Sequence, residues 1–166
     1  MGHRILLIKD EVLVREVLGE RLRELGFLVD EATTGEEGIE KFGGGDRYDC
    51  IVTDFCLPVA TGVTVIASIR KKDLNVAAVI ITAYCKEMVE RLCEGLSVWA
   101  VKQDPMSADD LGTTINEAIK ASNEALTEKV DRIINAFSNI QIELTASKAR
   151  IPAIRTSISN VGMSPP

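Results

Sequence analysis

The sequence predicts an α/β fold, with a five-stranded parallel sheet wound on both faces by helices and one extended C-terminal helix. Three observations predict it. Strand and helix patterns alternate through residues 4–122. The first strand segment is a short, continuous apolar run, which suits a buried parallel strand. Past residue 122 an apolar heptad continues, and no Gly or Pro interrupts residues 113–151.

The first strand is Arg4-Ile-Leu-Leu-Ile8. A helix follows over Val12 to Leu25, with apolar residues at 14, 17, 18, 22 and 25, and Gly26 closes it. Phe27 to Ala32 is the second strand. Thr34-Gly-Glu-Glu37 reads as a capping box, in which the hydroxyl satisfies a free amide of the first turn. The helix it opens ends at Gly43-Gly44-Gly45. That glycine run lies between helix and strand, so it is a turn; phosphate loops lie between strand and helix. Cys50 to Thr53 is the third strand and Gly62 to Lys72 the third helix. Ala77 to Thr82 is the fourth strand, and Lys86 to Gly95 the fourth helix. Val98 to Val101 is the last strand, and Ser107-Ala-Asp-Asp110 caps the fifth helix.

The composition narrows the function. Hydrophobic residues make up 46% and aromatics 4%, so the core is aliphatic. The net charge is −6, which argues against a chain-wide nucleic-acid surface and predicts no DNA binding. Residues 1–122 hold 14 basic and 21 acidic side chains, whereas residues 123–166 hold 5 and 4. A cation site is therefore expected in the first part. No apolar run reaches the length of a membrane span, and no signal-peptide pattern opens the chain, so a cytoplasmic location is expected. Cys50, Cys56, Cys85 and Cys93 lack zinc spacing and read as reduced thiols. Cys56 is read as a loop residue rather than a redox centre.

In a parallel sheet of this kind the site lies beyond the C-terminal strand ends. Those ends deliver Lys9-Asp10-Glu11, Thr53-Asp54, Thr82-Ala83 and Lys102 to one edge. Neighbouring carboxylates raise each other's pKa unless a cation intervenes, and magnesium is a common solution. A carboxylate so placed can also accept a phosphoryl group.

Ile5-Leu-Leu-Ile-Lys-Asp-Glu11, Asp54-Phe-Cys-Leu-Pro58 with Gly62, Ile80-Ile-Thr-Ala83 and Val101-Lys102 together resemble the response-regulator receiver domain of two-component signalling. The resemblance covers about residues 4–122. It implies a flavodoxin-like strand order 2-1-3-4-5 and a signalling module rather than an enzyme. It makes Asp54 the phosphoacceptor. Asp10, Asp54 and the backbone carbonyl of Cys56 become ligands of Mg2+. Thr82 becomes the switch hydroxyl, Lys102 the phosphate-binding lysine, and Trp99 the switch aromatic; a packed ring at the sheet edge is the other reading of Trp99. The implied partner is a sensor histidine kinase or a phosphotransfer protein.

Two departures stand out. The family carries two acids after its first strand, and here the first is Lys9. One charge pair near 4 Å is worth ~4 kcal/mol at an effective dielectric of 20, so weakened Mg2+ binding is expected. Either Lys9 pairs with Asp54 and partly replaces the metal, giving a phosphorylation-independent pseudo-receiver, or it points outward and phosphorylation proceeds. The family also expects proline directly after its lysine, often through a cis bond. Here Gln103 follows Lys102 and Pro105 comes later. A cis bond before Gln103 would cost about 3–4 kcal/mol, so a trans bond and a reshaped loop are expected.

The chain thus divides into a receiver over 1–122, a helical extension over 123–151 and a flexible tail over 152–166, with Pro152 ending the helix. With d at Ile119, Leu126, Ile133 and Ile140, position a falls on Asn116, Asn123, Val130, Phe137 and Leu144. A homodimer through this helix is expected. Docking on the chain's own receiver and a free helix awaiting a partner are the alternatives.

Overall fold

The computed structural model describes residues 2–159, with side chains placed up to residue 148. The elements are β1 (Arg4–Ile8), α1 (Val12–Glu24), β2 (Leu28–Ala32), α2 (Gly35–Gly43), β3 (Cys50–Asp54), α3 (Gly62–Arg70), β4 (Ala77–Thr82), α4 (Lys86–Leu92), β5 (Ala100–Gln103) and α5 (Ala108–Ser159). The strands form one parallel sheet in the order β2-β1-β3-β4-β5, as expected.

Alternation along β1 shows why its run is apolar throughout. Ile5 and Leu7 enter a cluster with Leu18 and Leu22 of α1 and with Leu111, Ile115, Ala118 and Ile119 of α5. Leu6 and Ile8 enter another with Val65 and Ile69 of α3. A third cluster joins Ile66, Ile80, Val89 and Val101. Both sheet faces are covered, so no strand position between Ile5 and Ile8 meets solvent.

The helix caps follow the sequence. The Thr34 hydroxyl accepts from the Glu37 amide at 3.2 Å, and the Ser107 hydroxyl accepts from the Asp110 amide at 3.0 Å. α3 and α4 end at Arg70 and Leu92, short of Lys72 and Gly95.

Two boundaries differ in ways that matter. β5 spans Ala100–Gln103, not Val98–Val101. The residues before it are set by Arg70, whose guanidinium donates to the Leu96 and Ser97 carbonyls at 2.8 and 3.0 Å. Ser97 there adopts a positive φ of 52°. Apolarity alone could not separate Val98 and Trp99 from the strand. α5 also continues past Pro152 to Ser159. Proline removes one amide donor, but its fixed φ is compatible with a helical backbone. Of the expected tail, residues 152–159 are helical and residues 160–166 lie outside the described part.

The chain separates into two compact units, Met1–Glu124 and Ala125–Pro166. In the second unit Leu126, Val130, Ile133, Ile134, Phe137, Ile140, Ile142 and Leu144 are all exposed.

Candidate functional site

The pairing register builds the site. Ile8 lies opposite Thr53, so the next residues of the two strands, Lys9 and Asp54, emerge side by side. Lys9 is buried at 4% exposure. Its amide donates to the Ala32 carbonyl at 3.0 Å. Its ammonium donates to Asp54 Oδ2 at 2.6 Å, a charge-assisted contact between side chains only 6% and 13% exposed. The Asp104 carboxylate lies 3.8 Å from the same ammonium, beyond hydrogen-bond range but well within charge range.

The surrounding backbone fixes these groups. Arg15, itself buried, donates from Nη1 to the Lys9 carbonyl at 2.7 Å and from Nε to Glu31 at 3.2 Å. The Phe55 amide donates to the Ile81 carbonyl at 2.7 Å, and the Gly62 amide to the Phe55 carbonyl at 2.8 Å. The Asp104 amide donates to the Thr82 carbonyl at 2.8 Å, tying the segment after β5 to the end of β4.

Burial opposes charge on both partners of the central pair. For Lys9 desolvation is the largest single influence, but the hydrogen bond and charge of Asp54, helped by Asp104, together outweigh it, and the ammonium's pKa is raised. For Asp54 desolvation is the largest influence and exceeds the opposing pull of Lys9. Asp104 and Asp10 add repulsion, so its carboxyl pKa is also raised. One ammonium thus sits among several acids, with its proton secured.

The expected site residues fall into two groups. Lys9, Asp54 and Thr82 converge at the edge. The Thr82 hydroxyl is buried and accepts from the Tyr84 amide at 2.9 Å. Asp10 is exposed, yet near enough for its charge to act on Asp54. Cys56 is exposed in the loop after β3, which an isolated bridge to Thr61 closes.

Lys102 and Trp99 make no hydrogen bond or ion pair with Lys9 or Asp54 among the described residues. Because β5 runs on to Gln103, Lys102 lies within the strand opposite Ile81 and forms no ion pair among the described residues. Trp99 precedes β5, donates its amide to the Ala78 carbonyl at 2.8 Å and stays half exposed. The bond after Lys102 is trans, and the cis bond among the described residues is Asp104–Pro105. The residue that sequence reasoning missed is Asp104. Its signal was Pro105: counting back from the proline, rather than from the nearest lysine, lands on Asp104.

Comparison with known proteins agrees with this architecture. Residues 5–116 match the response regulator receiver domain family. The response regulator MprA of Mycobacterium ulcerans is 26% identical over 98% of this chain and 72% of its own length. The transcriptional regulatory protein PdtaR of Mycobacterium tuberculosis is 32% identical over 73% of this chain and 58% of its own. A cyclic di-GMP phosphodiesterase of Thermotoga maritima is 26% identical, and the chain spans 31% of it. Among solved structures, the response regulator TrrA of Thermotoga maritima, in complex with Mg(2+)-BeF, is 30% identical with a TM-score of 0.63. The match covers 70% of this chain and 98% of that one. A receiver domain of Methanospirillum hungatei reaches a TM-score of 0.70 at 20% identity, over 75% of this chain and 99% of that one.

Proposed function

The chain belongs to the response regulator receiver domain family of two-component systems, and from that premise we propose that it signals through protein contacts with Asp54 held by Lys9 instead of by a divalent ion. The observation that carries this reading is the 2.6 Å contact between the Lys9 ammonium and Asp54 Oδ2, shielded from water on both sides. Its input is a sensor histidine kinase or a phosphotransfer protein. Its output passes through protein contacts rather than DNA, in the cytoplasm. Among the described residues no helix is long and apolar enough to cross a membrane.

Receivers of this family typically bind Mg2+, but the donor set here does not fit a resident ion. An ammonium already holds one oxygen of the Asp54 carboxylate. A second cation beside Lys9 would meet direct repulsion.

A second reading has one observation in its favour. Asp10 retains its acid beside Asp54, so an ordinary, weakly metal-assisted phosphoacceptor would need only that Lys9 swing aside. There an Asp54 oxygen attacks phosphorus while the bond from phosphorus to the donor breaks. Incubation with acetyl phosphate and Mg2+, read by intact mass, separates the two. The lock predicts no phosphoryl gain at magnesium levels that load an ordinary receiver. Prompt labelling of Asp54 would establish the second reading.

For the second unit we propose self-association. Leu126, Ile133 and Ile140 at d, with Val130, Phe137 and Leu144 at a, make an exposed apolar seam. A second copy of the same helix matches that seam position by position.

A further inference from the structure

We infer that Asp104 is the counterpart of Lys9 in a reciprocal charge exchange: Lys9 governs whether the site takes a divalent cation, and Asp104 governs whether it takes a phosphoryl anion. This inference rests on the reading of Lys9 as the internal cation, and it adds a separate function for Asp104.

The geometry supports a joint role. Lys9 lies between two carboxylates, hydrogen-bonded to Asp54 at 2.6 Å and 3.8 Å from Asp104. The Asp104 backbone is held to the end of β4 by its amide bond to the Thr82 carbonyl, so its side chain is delivered to the same edge as the Thr82 hydroxyl. Lys102, two residues earlier, is committed to the strand by its register with Ile81. Lys102 lies level with Asp54 across Ile81 but forms no ion pair among the described residues, whereas the Asp104 carboxylate stands 3.8 Å from the Lys9 ammonium. An anion attached to Asp54 would face the Asp104 carboxylate, and among the described residues Lys9 is the cation paired with Asp54.

The charge count shows why the two residues belong together. Lys9 with Asp10, Asp54 and Asp104 sums to −2. Reversing both Lys9 and Asp104 leaves that sum unchanged but separates the roles: acids gather at the β1 end, and an ammonium stands after β5. Either reversal alone moves the sum by two charges.

The test compares four full-length proteins: the natural chain, Lys9→Asp, Asp104→Lys and the double reversal. Each is titrated with Mg2+ alone by calorimetry, then with beryllium fluoride in the presence of Mg2+ by fluorine NMR. Circular dichroism checks the fold. The natural chain and Asp104→Lys are expected to bind neither. Lys9→Asp should gain Mg2+ affinity by about tenfold or more, as expected from replacing a cation by an anion beside the metal, yet show no bound beryllium fluoride. The double reversal should bind both. Should the double reversal fail to fold, Lys9→Asp with Asp104→Asn replaces it, and removal of the repelling charge alone should yield bound fluoride. If Lys9→Asp alone binds beryllium fluoride as well as the double variant, the role of Asp104 is overturned while that of Lys9 stands. If the natural chain binds Mg2+ as tightly as Lys9→Asp, the underlying reading of Lys9 fails instead.

Discussion

Arg15 on α1 donates a 2.7 Å hydrogen bond to the carbonyl oxygen of Lys9, so the first helix reaches back to clamp the residue that neutralises Asp54. The same guanidinium approaches the Asp10 carbonyl at 3.4 Å and binds Glu31 at 3.2 Å. Arg15→Met keeps the apolar stem but leaves a buried carbonyl without its donor. A loss of ~2 kcal/mol is expected, since unmade buried hydrogen bonds cost roughly 1–3 kcal/mol. Urea denaturation measures it. An unchanged midpoint would show that the clamp is dispensable.

Lys9→Met tests the central pair directly. Removing one partner leaves the Asp54 carboxylate buried beside Asp10 and Asp104, and the expected loss at neutral pH is ~3 kcal/mol. The pH dependence has a defined sign. The Lys9 pKa in the fold lies above its ordinary value of 10.5. Its stabilisation is therefore complete below that value and is lost as pH rises through the folded pKa. Tyr48, pushed up to about 12 chiefly by burial, also destabilises the fold at alkaline pH, and it does so in both proteins. The Met variant should keep the Tyr48 part of the alkaline loss and lose the Lys9 part. At acid pH the variant should regain stability, because a raised carboxyl pKa favours the folded state as protons bind. Stability curves for the two proteins from pH ~4 to pH ~11 check both limbs.

Much of this was legible in the sequence because it is written locally. Five strand segments alternating with amphipathic helices point to a parallel sheet, and helix caps such as Thr34 and Ser107 depend on neighbours three residues away. The nearness of Lys9 and Asp54 was legible as well, because adjacent parallel strands ending together must deliver adjacent residues. The end of β5 was not. Val98 and Trp99 are as apolar as strand residues, yet they lie in the segment that follows Leu96 and Ser97, whose carbonyls Arg70 holds from a distant helix. The shift of β5 put Lys102 inside the sheet and brought Asp104 to the edge. The pairing of Thr82 with Gln103 and the Asp104 amide bond to the Thr82 carbonyl, both between residues distant in sequence, decide which charge follows the strand.

Gly62 opens α3 immediately beneath the site. A Cβ built on it would lie 2.3 Å from the Asp54 carbonyl oxygen and 3.0 Å from Thr53 Cγ2. Alanine would favour the helix by up to ~1 kcal/mol, but the contact with backbone cannot relax by a side-chain rotation. Gly62→Ala is expected to cost ~2 kcal/mol net and to move the end of β3 relative to Lys9. Thermal melting gives the first quantity, and amide NMR shifts at Lys9 and Asp54 give the second. A variant as stable as the natural chain would mean that β3 and α3 part without cost.

The seam of the second unit makes a prediction that does not involve the receiver site. Ile133 is at a d position and exposed, flanked one heptad away by Leu126 and Ile140. In an isolated helix Ile133→Asp loses no buried contact, so the first unit should melt unchanged. In a two-stranded coil the same carboxylate would face its own copy across a dry seam. A penalty of ~3 kcal/mol corresponds to an affinity about two orders of magnitude weaker. Sedimentation equilibrium should find the natural chain dimeric and the variant monomeric at matched concentration. A natural chain that sediments as a monomer throughout would remove self-association, and the exposed Leu126, Val130, Phe137 and Ile140 would then need a different apolar partner.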